Sequence, residues 1–255
     1  MNAKILAQKN KNNPSFIPLH IGIVGCSAEG AALCYRTICK EGGDVLGPYA
    51  HPEVSVHTHS LAKYVECLNH GDLDGVAKLM ISSAEKLAAA GADFLICPDN
   101  TIHQAFALVR PRSPLPWLHI AEVVATAAVE RGFRRVGVTG TQWLVNSSVY
   151  PDALTAKGLD FVLPSDDERV QIGRIIMDEL VHGIFKSDSV VCFQNVITSL
   201  KGQGCDSVVL GCTEIPLIIN DQNSPLPTLD STRLLARAAL QKATRTISSF
   251  AVIVS

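Results

Sequence analysis

Two segments of the sequence place a residue capable of acid–base chemistry directly after an apolar run. GADFLICPDNT (residues 91–101) carries Asp99 behind a predicted strand, and GCDSVVLGCTE (residues 204–214) carries Cys212 at the matching position. Aspartate and cysteine can both exchange a proton with a substrate. Taken singly, Asp99 also fits a turn or helix N-cap, and Cys212 fits a buried small hydrophobic residue. Whether Asp99 and Cys212 are catalytic or structural depends on whether both residues reach one site.

The two segments belong to an internal repeat. Residues 21–26 (IGIVGC) also match residues 136–141 (VGVTGT), at nearly the same offset as the first match. Apolar β-type runs alternate with long helical patterns along the chain, which is typical of βαβ units and a mainly parallel sheet. We therefore predict an α/β protein with two pseudo-symmetric, Rossmann-like domains and an active site in the cleft between them.

The repeat also suggests how the chain is divided. We expect a flexible N-terminal tail over residues 1–17, a first α/β domain over residues 18–113 plus 228–255, and a second α/β domain over residues 114–227. Open α/β sheets bind ligands at the carboxyl ends of their strands. Two facing domains would therefore bring an acid–base group to each side of one cleft. Such a cleft suits removal of a proton from one face of a carbon atom and its return on the other.

The electrostatic setting of the two groups can be partly anticipated. Cys212 precedes a predicted helix start, where backbone N–H groups favour a thiolate. Partial burial would raise the pKa of Asp99, and neighbouring hydrogen-bond donors would lower it, so the sequence leaves the direction open. Cys97 precedes Asp99 within the apolar run and is interpreted as a core residue.

Five further polar residues stand at the ends of predicted strands. Asn100, Thr101 and Thr213 follow the two acid–base residues directly, and Ser27 and Thr141 close the first strand of each half. Their side chains and backbone N–H groups suit binding of a substrate carboxylate and stabilisation of an enolate-like intermediate. Helix capping is the alternative explanation, and one residue can do both.

Other titratable residues have less defined roles. His103 and Glu214 lie in the first turn after Asp99 and Cys212, where they could orient these groups or be partly exposed helix residues. Four basic residues are candidates for contacting a carboxylate in the substrate side chain: Arg36, His57, His182 and Lys186.

Composition excludes several classes of protein. The chain has 255 residues, of which 47% are hydrophobic and 18% charged, so it can bury a sizeable core. Its net charge of −2, without a basic cluster, gives no reason to expect a nucleic-acid partner. No apolar run is long enough to span a membrane, and the polar N-terminus lacks the apolar core of a signal peptide. We expect a cytoplasmic protein.

Cofactor and metal signatures are weak. The eight cysteines include no CxxC pair and suit a reduced cytosolic chain better than a disulfide framework or a zinc site. His57 and His59 have strand spacing for a shared face, but no third ligand stands near them. The turn GIVGCSAEG does not have the spacing of a dinucleotide-binding fingerprint. We therefore predict neither a metal nor a dinucleotide.

Four segments carry a resemblance to a known family. PDNTIH and LGCTEIP, with IGIVGCSAEG before them and LDST after them, resemble the motifs of the aspartate/glutamate/hydantoin racemase superfamily. The resemblance covers most of residues 20–240 and is closest to the amino-acid racemases that act on aspartate or glutamate. It implies two pseudo-symmetric α/β domains with the site between them, no cofactor, and a homodimer.

The family's usual motifs, Pro-Cys-Asn-Thr-x-His and Gly-Cys-Thr, supply two opposed cysteine bases. Cys212 and Thr213 match the second motif, and Asn100, Thr101 and His103 match the first. Asp99 departs from the pattern, because it stands where the family has its first cysteine. The resemblance therefore implies a cofactor-independent racemase of aspartate, or next of glutamate, that uses an opposed Asp/Cys pair.

Two alternatives stay open at this point. The site could instead serve a decarboxylase or a cis–trans isomerase of a small dicarboxylic acid, since the superfamily includes such enzymes. The chain could also be a non-catalytic small-acid-binding protein in which Asp99 marks a lost activity.

Overall fold

The structure is a computed structural model that describes residues 17–251, with side chains described as far as residue 244. Except for Ile17, the predicted N-terminal tail lies outside the described residues. The chain from residue 17 onward forms two four-stranded sheets in which every strand pair is parallel. Within residues 17–251, no helix is both long enough and apolar enough to cross a membrane.

The strands are β1 (Ile21–Gly25), β2 (Val54–Thr58), β3 (Phe94–Ile96), β4 (Trp117–Leu118), β5 (Arg135–Thr139), β6 (Asp160–Val162), β7 (Ser207–Leu210) and β8 (Thr228–Asp230). The helices are α1 (Ala28–Leu46), α2 (Leu61–Asn69), α3 (Leu73–Ala89), α4 (Phe106–Val109), α5 (Ile120–Glu130), α6 (Gln142–Val145), α7 (Val149–Thr155), α8 (Asp166–Asp178), α9 (Ser187–Gly202) and α10 (Ser231–Ala251). Short 3-10 helices cover Thr101–Ala105, Arg110–Arg112, Leu180–His182 and Ile215–Leu217.

The two sheets have the same strand order, which confirms the α/β class and the two pseudo-symmetric halves. The first sheet runs β2-β1-β3-β4, and the second runs β6-β5-β7-β8. The register agrees as well: Ile21 lies opposite Phe94 in the first sheet, and Val136 lies opposite Ser207 in the second. The central strands β1, β3 and β7 are buried along their whole length, because helices cover both faces of a parallel sheet.

Short strand-to-helix turns carry the site, and their glycines allow close approach of the backbone. A Cβ atom on Gly211 would lie 2.4 Å from the carbonyl oxygen of Thr139, so only glycine lets the end of β7 pass this close to β5. Gly30, in the first turn of α1, approaches Thr213 of the other half in the same way. The two halves are therefore tightly apposed at their strand ends.

The connections between the halves fall at two strands. β4 pairs with β3 in the first sheet, and β8 pairs with β7 in the second. We therefore propose that the chain passes from the first half to the second after β4 and returns after β8, near the division expected from the repeat.

The C-terminal helix α10 holds both halves. It packs against α1, which covers the first sheet, and against α5, which packs on the second. Leu235 and Ala239 of α10 are fully buried together with Ile21 and Ile23 of β1. This helix is therefore part of the hydrophobic core.

We predict that Leu235→Ala destabilises the protein by about 3 kcal/mol, because truncating a fully buried leucine removes apolar contacts and leaves a cavity. Urea unfolding followed by circular dichroism measures the loss. Arg237→Ala is the control on the same helix. Its ion pair with Glu41 is half exposed, so its removal should cost only about 0.5 kcal/mol. Equal losses in the two variants would show that α10 is not a core element.

Candidate active site

All seven residues predicted for the site line one narrow cavity of about 50 Å³ between the two halves. They are Ser27, Asp99, Asn100, Thr101, Thr141, Cys212 and Thr213. Each follows the carboxyl end of β1, β3, β5 or β7, which is where parallel sheets place ligand-binding groups. The geometry thus brings Asp99 of one half and Cys212 of the other to a shared space.

Asp99 is half-buried and accepts hydrogen bonds. Its Oδ1 accepts from the backbone N–H of Ile102 over 3.1 Å, and the neighbouring thiol of Cys26 favours the charged form of the same carboxylate and so lowers its pKa. Burial raises the pKa of Asp99, and the negative charge of Glu214 adds to this rise, although the donors partly offset it. Asp99 is therefore a stronger base than an exposed aspartate.

Cys26 is a site residue that the sequence reasoning missed. It lines the cavity beside Asp99, and burial together with the Asp99 charge raises the pKa of its thiol well above the ordinary value. Cys26 therefore stays protonated and acts as a donor. A signal was available, since Cys26 is the position of IGIVGC that aligns with Thr141 in the repeat.

The thiol of Cys212 is paired with a carboxylate. Its Sγ donates to Glu214 Oε2 over 2.9 Å, and Thr213 Oγ1 donates to the same oxygen over 2.6 Å. Burial raises the pKa of Cys212 well above the ordinary value, and the charge and acceptor oxygen of buried Glu214 raise it further. The structure thus corrects the expectation of a thiolate: only a short 3-10 helix follows, and the adjacent carboxylate favours the protonated thiol.

Two hydroxyl pairs cross the cleft. Ser27 Oγ lies 3.1 Å from Thr213 Oγ1, and Thr101 Oγ1 lies 2.9 Å from Thr141 Oγ1. Ser27 also caps α1 and Thr141 caps α6, each by accepting a backbone N–H. In both pairs, a helix-capping residue of one half contacts a threonine of the other half. That threonine follows Cys212 in the first pair and Asp99 in the second. Capping and a place in the cleft therefore coexist.

The side chain of Asn100 is engaged within the protein. Its Nδ2 donates to Ser231 Oγ over 2.9 Å, and its Oδ1 accepts from Tyr150 Oη over 2.7 Å. The amide therefore fixes the turn after β3 against the second half. Sequence reasoning missed Tyr150 and Ser231, although Ser231 lies in the LDST segment.

His103 acts on the backbone next to Asp99. Its Nδ1 bonds to the carbonyl oxygen of Asp99 over 2.6 Å, and its Nε2 accepts from the N–H of Ile120 over 3.4 Å. Burial lowers the pKa of His103 well below the ordinary value, so the ring is neutral. It donates from Nδ1 and positions the turn without contacting the carboxylate.

None of the four basic residues considered for a substrate carboxylate lines the cavity: Arg36, His57, His182 and Lys186. Arg36 and His182 are exposed, and Lys186 Nζ lies 3.0 Å from Glu179 Oε1. His57 Nδ1 bonds to Ser83 Oγ over 2.9 Å.

The described part of the chain offers no metal site. It contains no group of three or more His, Cys, Asp or Glu side chains that could hold a metal ion. The rings of His57 and His59 do lie 4.9 Å apart, but His59 Nε2 is paired with Ser82 Oγ.

Apolar side chains also line the cavity. Its wall comes from helices of both halves and consists of Leu61, Val65, Leu68, Trp143, Ile176, Met177 and Val181.

Comparison with known proteins agrees with this architecture. The chain is 24% identical over 169 residues to the broad specificity amino-acid racemase RacX of Bacillus subtilis (strain 168). The aligned region covers 66% of this chain and 73% of RacX. A crystallised candidate Asp/Glu racemase from Yersinia pestis superposes with a TM-score of 0.81 at 30% identity, covering 88% of this chain and 99% of that one. PH1733, an aspartate racemase homologue from Pyrococcus horikoshii OT3, gives a TM-score of 0.76 at 28% identity with the same coverage.

The match extends to the whole two-domain unit. Residues 22–239 match the Asp/Glu/Hydantoin racemase family, and this range includes both sheets, apart from Ile21, and the first nine residues of α10. The chain belongs to the Asp/Glu/hydantoin racemase family and is an isomerase of the amino-acid racemase type.

Proposed function

We propose that this racemase works without a cofactor and uses Asp99 and Cys212 as the two acid–base groups on opposite faces of the substrate Cα. The observation that carries the proposal is their placement at equivalent strand ends of two halves, around one cavity. The family resemblance supports the absence of a cofactor and implies aspartate, or next glutamate, as substrate. It also implies the homodimer, which stays a prediction.

The protonation of the two groups is complementary. Asp99 accepts hydrogen bonds as a carboxylate, whereas Cys212 donates one as a thiol. Asp99 would remove the Cα proton from one face, and the electron pair would delocalise into the substrate carboxylate. Cys212 would then deliver its proton to the opposite face, and Glu214 would lie beside the resulting thiolate.

The hydroxyl groups at the strand ends are placed to bind the substrate carboxylate. Thr101 and Thr213 follow on from the two acid–base residues, so both can reach the oxygens on which negative charge develops. Substrate binding would exchange the hydroxyl–hydroxyl contacts across the cleft for contacts to the carboxylate.

The reverse reaction begins with the proton on Asp99 and the charge on Cys212. Because the two enantiomers have equal free energy, kcat/KM must be the same in both directions. The unequal basicity of a carboxylate and a thiolate should therefore appear in kcat and KM separately.

We predict that replacing either group leaves exchange on one face only. In Cys212→Ser the hydroxyl is a far weaker acid than the thiol, so racemisation should fall by at least about a thousandfold. Asp99 would still exchange the Cα proton of one enantiomer, whereas Asp99→Asn should exchange the opposite enantiomer only at a pH high enough to deprotonate Cys212. Proton NMR in deuterium oxide, following the Cα signal of D- and L-amino acids, measures both effects.

Cys192→Ser is the matched control, because Cys192 is a half-buried thiol of the same half that does not line the cavity. It should racemise like the unmodified protein. Two-way racemisation by either active-site variant would contradict the two-base assignment. Absence of exchange in the unmodified protein would favour a small-acid-binding protein, whereas conversion of a malonate or of maleate would favour the decarboxylase or isomerase.

The pKa shifts predict a bell-shaped dependence of kcat/KM on pH. Activity requires exactly one proton on the Asp99–Cys212 pair, so it should rise as pH passes the pKa of Asp99 and fall as pH passes that of Cys212. Both pKa values are raised, so the acid limb should lie above the range of exposed aspartates and the alkaline limb above that of exposed cysteines. The profile should be the same for both enantiomers, and differing profiles would contradict a shared pair.

Removing the Cys26 thiol should move only the acid limb. Its hydrogen bond stabilises the charged form of Asp99, so Cys26→Ala should raise the pKa of Asp99 and shift this limb to higher pH. Cys26→Ser keeps a donor and should shift it less. An unchanged acid limb in Cys26→Ala would show that the thiol does not influence Asp99.

A further inference from the structure

The apolar wall of the cavity indicates which type of side chain the substrate carries. We infer that the natural substrate is an amino acid with an apolar side chain, of the size of leucine, methionine or phenylalanine. This inference rests on the proposed racemase function and replaces the acidic side chain that the family resemblance implies. It is carried by the lining of the cavity, which combines a few polar groups with an apolar wall and, among residues 17–244, includes no cationic side chain.

The apolar wall is built by equivalent elements of the two halves. Leu61, Val65 and Leu68 come from α2, which follows β2 in the first half. Ile176 and Met177 come from α8, which follows β6 in the second half. These helices belong to different halves and line the same cavity, so a side chain held there can contact hydrocarbon from both halves.

Trp143 and Val181 complete this wall. Trp143 lies on α6, directly after the turn that carries Thr141, and Val181 lies in the 3-10 helix that follows α8. Both are half-buried, so they have surface free to contact a ligand. Burying apolar substrate surface against such a wall favours binding.

The charges of the cavity disfavour a second carboxylate. Asp99 and Glu214 both line it, and their charges already raise the pKa of Cys212. Among residues 17–244, no lysine, arginine or histidine side chain lines the cavity. A carboxylate in the substrate side chain would lose its hydration against hydrocarbon without gaining a cation, which costs free energy.

The polar groups of the cavity can accommodate one carboxylate. The hydroxyls of Ser27, Thr101, Thr141 and Thr213 all lie at the strand ends, next to the acid–base residues. An α-carboxylate bound there places Cα between Asp99 and Cys212. The substituent on Cα then has only the apolar wall to contact.

The test is a substrate panel with the unmodified protein. Loss of the Cα proton signal in deuterium oxide is followed for both enantiomers of leucine, methionine, phenylalanine, aspartate and glutamate. We expect kcat/KM to be at least about tenfold higher for the apolar amino acids than for the acidic ones. Aspartate or glutamate exchanging faster than all three apolar amino acids would overturn the inference while supporting the proposed function. No exchange with any of them would overturn both.

A variant that introduces a positive charge tests the wall itself. Met177→Lys places a cation on the wall with a side chain of similar length, so it should lower kcat/KM for leucine at least about tenfold and raise it for aspartate. Val170→Lys is the control, since Val170 is an exposed residue of the same helix outside the cavity. It should leave the substrate preference unchanged. A preference that is the same in both variants would show that the α8 wall does not contact the substrate side chain.

Discussion

The hydroxyl contacts Ser27–Thr213 and Thr101–Thr141 join the two halves next to Asp99 and Cys212, and the rest of the site depends on them. Each contact involves a helix-capping residue, so its position is fixed by the helix as well as by the strand before it. Both sheets thereby present their carboxyl ends to each other across a short gap. Glycine at position 30 serves the same apposition, because a Cβ atom there would collide with Thr213 of the other half. Close apposition excludes water and makes each charge in the cleft matter more.

The two halves place a thiol next to a carboxylate in different ways. The first half places a thiol from the β1 turn against the carboxylate from the β3 turn. The second half takes both the thiol and the carboxylate from the turn after β7. In each half one thiol and one carboxylate influence each other, but the residue at the matching position of the repeat is the carboxylate Asp99 in the first half and the thiol Cys212 in the second. Each half therefore contributes one thiol and one carboxylate to the cavity. These are Cys26 and Asp99 in the first half, and Cys212 and Glu214 in the second.

Much of this arrangement could be predicted from the sequence, because the repeat reports the order of strands and helices, and parallel sheets place ligands at one edge. That reasoning located Asp99, Cys212 and the four hydroxyl residues. It missed the donor role of Cys26, and it placed a thiolate at Cys212, because both depend on which side chains meet after folding. The amide of Asn100 likewise contacts Tyr150 and Ser231, which lie far away in sequence. The basic residues could not be ranked, since exposure and ion pairing decide their availability.

The helix α10 contacts both halves, and its first residue, Ser231, bonds to Asn100 at the strand ends. Leu235 and Ala239 are buried in the contacts that this helix makes, so moving one half relative to the other would expose apolar surface of α10 to water. The C-terminal helix therefore ties the stability of the fold to the relative position of the two halves.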